Sequence, residues 1–286
     1  MKVARLAPYI FVLLWSTGFI GAKYGLPYAD PFIFLSVRVL IAGAILFIIA
    51  LAMKMPVAIG VSAISRSALI GFFLHACYLG GVFYALSVGL SAGVAAVITS
   101  LQPVLVSVLA VKFLGERLRR VQVLGLLIGL TGVVLVLGPS FTAQIPLSGI
   151  VAITVGLIGS TGATLLQKKL GSGIPLVSGT AYQYLASGAI LAIAAFATGE
   201  TSIQWSGTFI LAFIWLIAVL SVGAVLLLLW LLNNSSAASV SSLLYLIPPA
   251  TALEAYFLFG EKVNTQGLLG IGITALGVYL VISSAN

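Results

Sequence analysis

Residues 31–53, PFIFLSVRVLIAGAILFIIALAM, hold one charged side chain in 23 positions, and runs of this kind recur along almost the whole chain. Crossing a bilayer takes about 20 mainly apolar residues, in a helix that satisfies its own backbone polar groups within hydrocarbon. Such runs, separated by Pro, Gly, Ser and charge, fall near 6–26, 31–53, 67–88, 92–113, 121–138, 147–167, 176–198, 207–232, 237–259 and 266–284. Their length and their Leu, Ala and Gly content exclude barrel strands, which alternate over about ten residues. Only 6% of the 286 residues are charged, against roughly 25% in soluble domains, so the solvent is lipid. The expectation is an all-α integral membrane protein of ten transmembrane helices, with no room for a soluble domain. Lys2 and Arg5 before the first run imitate a secretory signal, but more spans follow and no small-residue cleavage pattern stands out. The first helix is therefore read as retained.

The net charge of +8 does not read as nucleic-acid binding, because the bases sit in short gaps between apolar runs. With the N-terminus inside, one side collects Lys2, Arg5, Lys54, Arg66, Lys112, Arg117, Arg119, Arg120, Lys168 and Lys169. The other side receives Lys23 and Lys262, and Arg38 lies within a span. Basic loops mark the cytoplasmic side, so both termini are expected in the cytoplasm. The single Cys77 excludes an intramolecular disulfide.

One motif appears twice. FLGERLRR (113–120) is echoed by FLFGEKVN (257–264), with Gly115-Glu116 and Gly260-Glu261 at an offset of 145. Pro103 and Pro248, Gly125 and Gly270, and Gly132-Val133 and Gly277-Val278 share that offset, as do Gly43-Ala44-Ile45-Leu46 and Gly188-Ala189-Ile190-Leu191. Ser16-Thr17-Gly18 and Ser160-Thr161-Gly162 match at 144. The repeat is five spans long. Five is odd, so the second copy enters the membrane upside down. The expected domains are residues 1–140 and 147–286, an inverted pair of the kind that interconverts inward- and outward-open states in transporters. Duplication kept for stability alone is the other reading.

One His, one Cys and five acids leave no metal quartet, paired carboxylates or nucleophilic triad. Neither an enzyme nor a cofactor is expected. A lipid-modifying membrane enzyme would need acids or histidines converging at one interface, and a sensor would need a soluble effector domain. The run GLLIGLTG (125–132) lies inside an apolar helix, where Gly125-x-x-x-Gly129 suits close helix contact and not phosphate binding.

These features resemble the drug/metabolite transporter superfamily and, within it, the EamA-type ten-helix exporters. The marks are the two five-span halves, Trp15-Ser16-Thr17-Gly18-Phe19, and the Gln102-Pro103 helix ending in Gly115-Glu116-Arg117. The resemblance covers the whole chain, and by overall likeness the sequence most resembles the bacterial aromatic amino-acid exporters of the YddG kind. It implies an inner-membrane exporter of small amphipathic metabolites, aromatic or hydrophobic amino acids first. Multidrug or sugar/nucleotide-sugar carriage is the alternative within the superfamily. A monomer is compatible with it. The short multidrug branch places a glutamate in its first helix, whereas FVLLWSTGF (11–19) and TVGLIGSTGA (154–163) have none.

Candidate site residues follow from depth. At about 1.5 Å per residue, Trp15, Tyr78 and Gln102 fall near the bilayer midplane, and His75 shares a helix face with Tyr78. Trp15, Tyr78, Tyr182 and Tyr245 are candidates to stack on a substrate. Ser16, Thr17, Thr99, Gln102 and Thr161 are candidates to bind its polar head. His75 is either a proton-linked group or a neutral packing residue. Pro103, Pro248 and Pro249 are read as breaks in the fourth and ninth helices, serving as hinges or as static kinks. Arg38 and Glu254 are ionisable groups within spans, which are usually paired or functional. Either they pair with each other or Arg38 draws a substrate carboxylate. Glu116 with Arg117, and Glu261 with Lys262, are read as caps at helix ends.

Overall fold

The computed structural model describes the backbone of residues 2–90, 95, 98–137, 146–199, 201–259 and 265–284. Within them the elements are helical, apart from one isolated antiparallel bridge between Ala29 and Ile203. The helices are α1 (Lys2–Gly25), α2 (Pro31–Ala52), α3 (Val61–Ser87), α4 (Gln102–Leu114), α5 (Arg120–Leu137), α6 (Leu147–Leu170), α7 (Leu176–Thr198), α8 (Gly207–Asn234), α9 (Ala237–Ser242), α10 (Ile247–Phe259) and α11 (Thr265–Ser283). Among the described residues seven helices are long and apolar enough to cross a bilayer, namely α1, α2, α3, α6, α7, α8 and α11.

Polarity is turned inside out relative to a water-soluble bundle. Ile48, Ile193, Phe196, Leu211 and Phe257 stand exposed, while Gln102, Ser107, Gln167, Thr180, Gln183 and Ser187 are buried. An outer surface of that composition is stable only against lipid. Helix association then rests on close packing and internal hydrogen bonds. The chain is a multi-pass membrane protein.

The most extensive helix contacts are α5 with α11 and α2 with α7. Glycine makes the first possible: a Cβ on Gly125 would lie 2.7 Å from the Gly277 carbonyl, and one on Gly132 would lie 2.9 Å from the Gly270 carbonyl. Rising numbers on α5 meet falling numbers on α11, so the pair is antiparallel. In α2 and α7 the same holds. Asp30, ahead of α2, receives its backbone N–H bond from Ser202, beyond α7, onto its carboxylate at 2.9 Å. At the opposite end Tyr182 and Ser178 donate to the Val57 and Pro56 carbonyls at 3.0 and 2.6 Å. These contacts define an Asp30 end and, where α2, α6 and α8 finish, a Lys168 end.

Helix bounds recur at nearly the same offset as the sequence motifs. α1 and α6, and α4 and α10, begin 145 residues apart and finish 145 residues apart. α3 and α8 share a further irregularity: each widens into a π-helical stretch, Phe72–Leu79 in α3 and Leu216–Ala224 in α8. Such stretches leave backbone carbonyls free of their α-helical partners and concentrate at functional sites. Hydropathy carries no trace of them.

Three expectations need correction. The third span starts at Val61 and not near 67, because Arg66 is accommodated at the helix end, donating to the Ser62 carbonyl at 3.2 Å and the Leu170 carbonyl at 3.2 Å. Pro103 does not interrupt a helix interior: it lies in the first turn of α4, where a missing N–H costs nothing. Pro248 and Pro249, by contrast, lie inside a stretch that stays helical from Ala237 to Phe259. The irregularities come just before them, as a turn at Ser100–Leu101 and a 3-10 turn over Leu243–Leu246. Glu116 does cap a helix, but a distant one. Gly115, in the left-handed region at φ +70°, ends α4. That turn delivers the Glu116 carboxylate to the backbone N–H groups of Ala237 (2.8 Å) and Ala238 (3.5 Å), at the start of α9. Gly260, Glu261 and Lys262 lie outside the described residues.

Candidate functional site

Two cavities lie end to end in the bundle and share Trp15, Leu74 and Tyr78 as a common neck. Helical spacing builds that neck: Trp15 and Gly18 are one turn apart on α1, and Leu74 and Tyr78 are one turn apart on α3. The Phe11 ring steadies Trp15, with centroids 5.2 Å apart.

The first cavity encloses about 720 Å³ of atom-free space, counting its open mouth. Its polar wall is made of hydroxyls and one amide, including Thr99, Ser100, Gln102, Ser160, Thr164 and Ser241. Gln102 Nε2 donates to the Thr164 hydroxyl at 3.2 Å and the Ser160 carbonyl at 3.4 Å. Among the described residues no charged group lines this cavity. The second cavity has about 640 Å³ of such space, counted the same way, and runs from the neck toward the Asp30 end. Its walls are apolar except for Arg38, His75, Tyr78 and Tyr184.

Ser221 in the α8 π segment is the junction of this second polar group. Arg38 Nε donates to its hydroxyl at 3.0 Å, and the Tyr184 hydroxyl donates to its carbonyl at 2.5 Å. His75, in the α3 π segment, lies against the Tyr184 ring at 4.4 Å between centroids. Among the described residues Arg38 is the one charged residue lining either cavity.

The structure gathers Trp15, Tyr78, Thr99, Gln102, His75, Arg38 and Pro248 around these cavities and sends the other candidates elsewhere. The Ser16 hydroxyl contacts the Leu13 carbonyl and Glu254, the latter at 2.5 Å across the α1–α10 interface. Arg38 and Glu254 thus take separate serine partners. Thr17 bonds its own helix at Leu14 and accepts the Trp215 indole N–H at 3.0 Å, in a groove on the outer face of α1 and α8. Thr161 is buried, and its hydroxyl has no described partner. Its neighbours Ser160 and Thr164 face the cavity instead. Tyr182 ties α7 to the α2–α3 loop, and Tyr245 fills the space left by Gly129. Sequence reasoning missed Thr164, Ser241, Tyr184 and Ser221. Thr164 was within reach, standing one turn from Ser160 on the same face. Ser221 was not, because a π segment alters which residues share a face.

The sequence matches the EamA-like transporter family over residues 6–138 and again over 147–283. It is 27% identical over 277 residues to the uncharacterized transporter YvbV of Bacillus subtilis, covering 94% of this chain and 88% of that protein. A WAT1-related chloroplastic protein of Arabidopsis thaliana is 32% identical over 139 residues, 49% of this chain and 32% of its own length. A crystal structure with 22% identity superposes with a TM-score of 0.82, covering 100% of this chain and 98% of that one, which is a likeness of fold. A lipid-facing helical bundle around paired cavities, matched by that family along nearly its full length, establishes that this chain belongs to the EamA-like transporter family.

Proposed function

We propose that this transporter exports small amphipathic metabolites, aromatic or hydrophobic amino acids first, by alternating access between two inverted five-helix halves. The observation that carries the reading is the shared neck, where Trp15 and Tyr78 separate a hydroxyl- and amide-lined cavity from one holding a single guanidinium. Such a path offers π surface for an apolar side chain and hydrogen bonds for a zwitterionic head. It offers nothing to a polyanion, which needs several cations. Inversion is supported by the antiparallel packing of α2 on α7 and of α5 on α11, elements that correspond at the repeat offset. Contacts also exchange between halves: α3 packs on α6 as α8 packs on α1, and α4 packs on α6 as α10 packs on α1. Lys54, Arg66, Lys112, Arg117 and Lys168 gather at the Lys168 end, which supports placing that end and both termini in the cytoplasm of a bacterial inner membrane.

The test is uptake of labelled phenylalanine, threonine and a cationic dye into vesicles holding the purified protein. Phenylalanine flux without dye flux is expected. Dye flux without amino-acid flux rejects the substrate choice.

A further inference from the structure

The guanidinium of Arg38 is 2% exposed and borders a cavity, yet only its Nε has a described partner, the Ser221 hydroxyl. Beside it His75 is fully buried, and neither ring nitrogen has a hydrogen-bond partner. Among the described residues the acids offer no counter-ion. Glu254 is engaged by Ser16, Asp30 by the Ser202 N–H, and Glu116 by the start of α9. Glu200 and Glu261 lie outside the described residues. A cation held inside a lipid-embedded bundle is costly unless an anion meets it.

We infer that Arg38, with His75 beside it, forms the binding subsite for one carboxylate of the transported molecule. This deepens the proposed function and rests on reading the cavities as the substrate path. Two terminal nitrogens of a planar guanidinium match the two oxygens of a carboxylate. A neutral imidazole adds one N–H donor. Ser221 holds the Arg38 fork, and Tyr184 holds Ser221 through its carbonyl; both are positioning residues. His75 and Ser221 come from the two π segments, so the donors sit where the helix backbone is least regular. One cation balances one negative charge. The subsite therefore accepts a monocarboxylate, rejects the corresponding amine, and leaves a dianion half uncompensated. Trp15 and Tyr78 at the cavity neck lie on the route of the apolar remainder.

Thermal stabilisation of the detergent-solubilised protein tests this with four probes: 3-phenylpropanoate, 3-phenylpropanamide, phenylalanine and phenethylamine. The acid and phenylalanine are expected to raise Tm, and the amide and amine to leave it unchanged. Arg38→Gln is expected to weaken half-saturation by the acid roughly ten- to hundredfold, the loss of charge-assisted hydrogen bonds. Should that variant fail to fold, His75→Phe, of similar size and without a donor, is expected to weaken it about tenfold. Equal shifts with acid and amide, no shift with the acid, an unaltered response in a folded Arg38→Gln, or the same shift from sodium chloride would each overturn the subsite. Phenylalanine uptake in vesicles separates the two claims. Acid-selective stabilisation without uptake rejects the amino-acid substrate and keeps the subsite; uptake without acid selectivity does the reverse.

Discussion

Arg38 on α2 and Gln183 on α7 are separated by the repeat offset of 145, yet their surroundings differ in kind. Toward the Asp30 end, Arg38 joins Ser221, Tyr184 and His75 beside an open cavity. Toward the Lys168 end, Gln183 Nε2 donates to Gln167 Oε1 at 3.3 Å, and Gln167 Nε2 donates to Asn233 Oδ1 at 3.3 Å. This second group is a chain of neutral amides, beside a smaller cavity that Gln167 and Gln183 line, and it leaves the buried Gln183 Oε1 without a described partner. Nearby, the Lys168 ammonium caps the end of α8, donating to the Leu232 and Ser235 carbonyls at 3.0 and 2.6 Å. Positions one motif offset apart thus share polarity and differ in charge. Among the described residues, one cluster holds a cation that no acid meets, and the other holds neutral amides alone. A backbone repeat fixes where polar groups stand; only the side chains decide whether those groups await a ligand.

The sharpest way to break this contrast is to move the charge. Gln183→Arg buries a cation among amides beside a cavity of only about 210 Å³, and is expected to cost about 3–5 kcal/mol of stability, read as a large fall in Tm in detergent. Were it tolerated, the Lys168 end would be open to an anion and the two ends would not differ as described. Next, Arg38→Gln should lower phenylalanine transport about a hundredfold, near 2.7 kcal/mol, while Gln183→Leu changes it less than about threefold; vesicle uptake measures both. Ser221→Ala removes the partner of Arg38 Nε and frees the fork to wander. It should raise KM about tenfold with little change in expression, whereas Asn233→Ala should leave KM alone. Tyr184→Phe deletes one hydroxyl bond to a π-segment carbonyl and should cost about 1 kcal/mol, seen as a modest Tm shift. Glu116→Gln, outside both clusters, should cost about 1 kcal/mol through a weaker cap on α9, with transport unchanged.

Much of the scaffold can be read without coordinates. The α2 span, the glycines that seat α5 on α11 and the polar places of Arg38, His75, Trp15, Tyr78 and Gln102 all follow from hydropathy, spacing and depth. The prolines mark the right neighbourhood and differ in form, since Pro103 opens α4 after a turn and Pro248 follows a 3-10 stretch within a continuous helical run. Ser16, Thr17 and Thr161 fail as a group for one reason. Ser16 and Thr17 follow the cavity-lining Trp15 on α1, and Thr161 follows the cavity-lining Ser160 on α6, each rotated by about 100° or 200° from that neighbour and so turned from the cavity it lines. Tyr184 was overlooked beside Tyr182 because α7 is apolar or small on every side, and its facing is set by its neighbours alone.

The sequence by itself determined the solvent and the helical class, because each depends on properties summed along the chain: apolar length and charge spacing. Only the tertiary structure decided which polar residues meet, that Glu116 caps α9, and that two π segments bring His75 and Ser221 to either side of Arg38. Those outcomes depend on helix rotation and local winding, which a change of one backbone hydrogen bond can alter and which leave no mark on hydropathy.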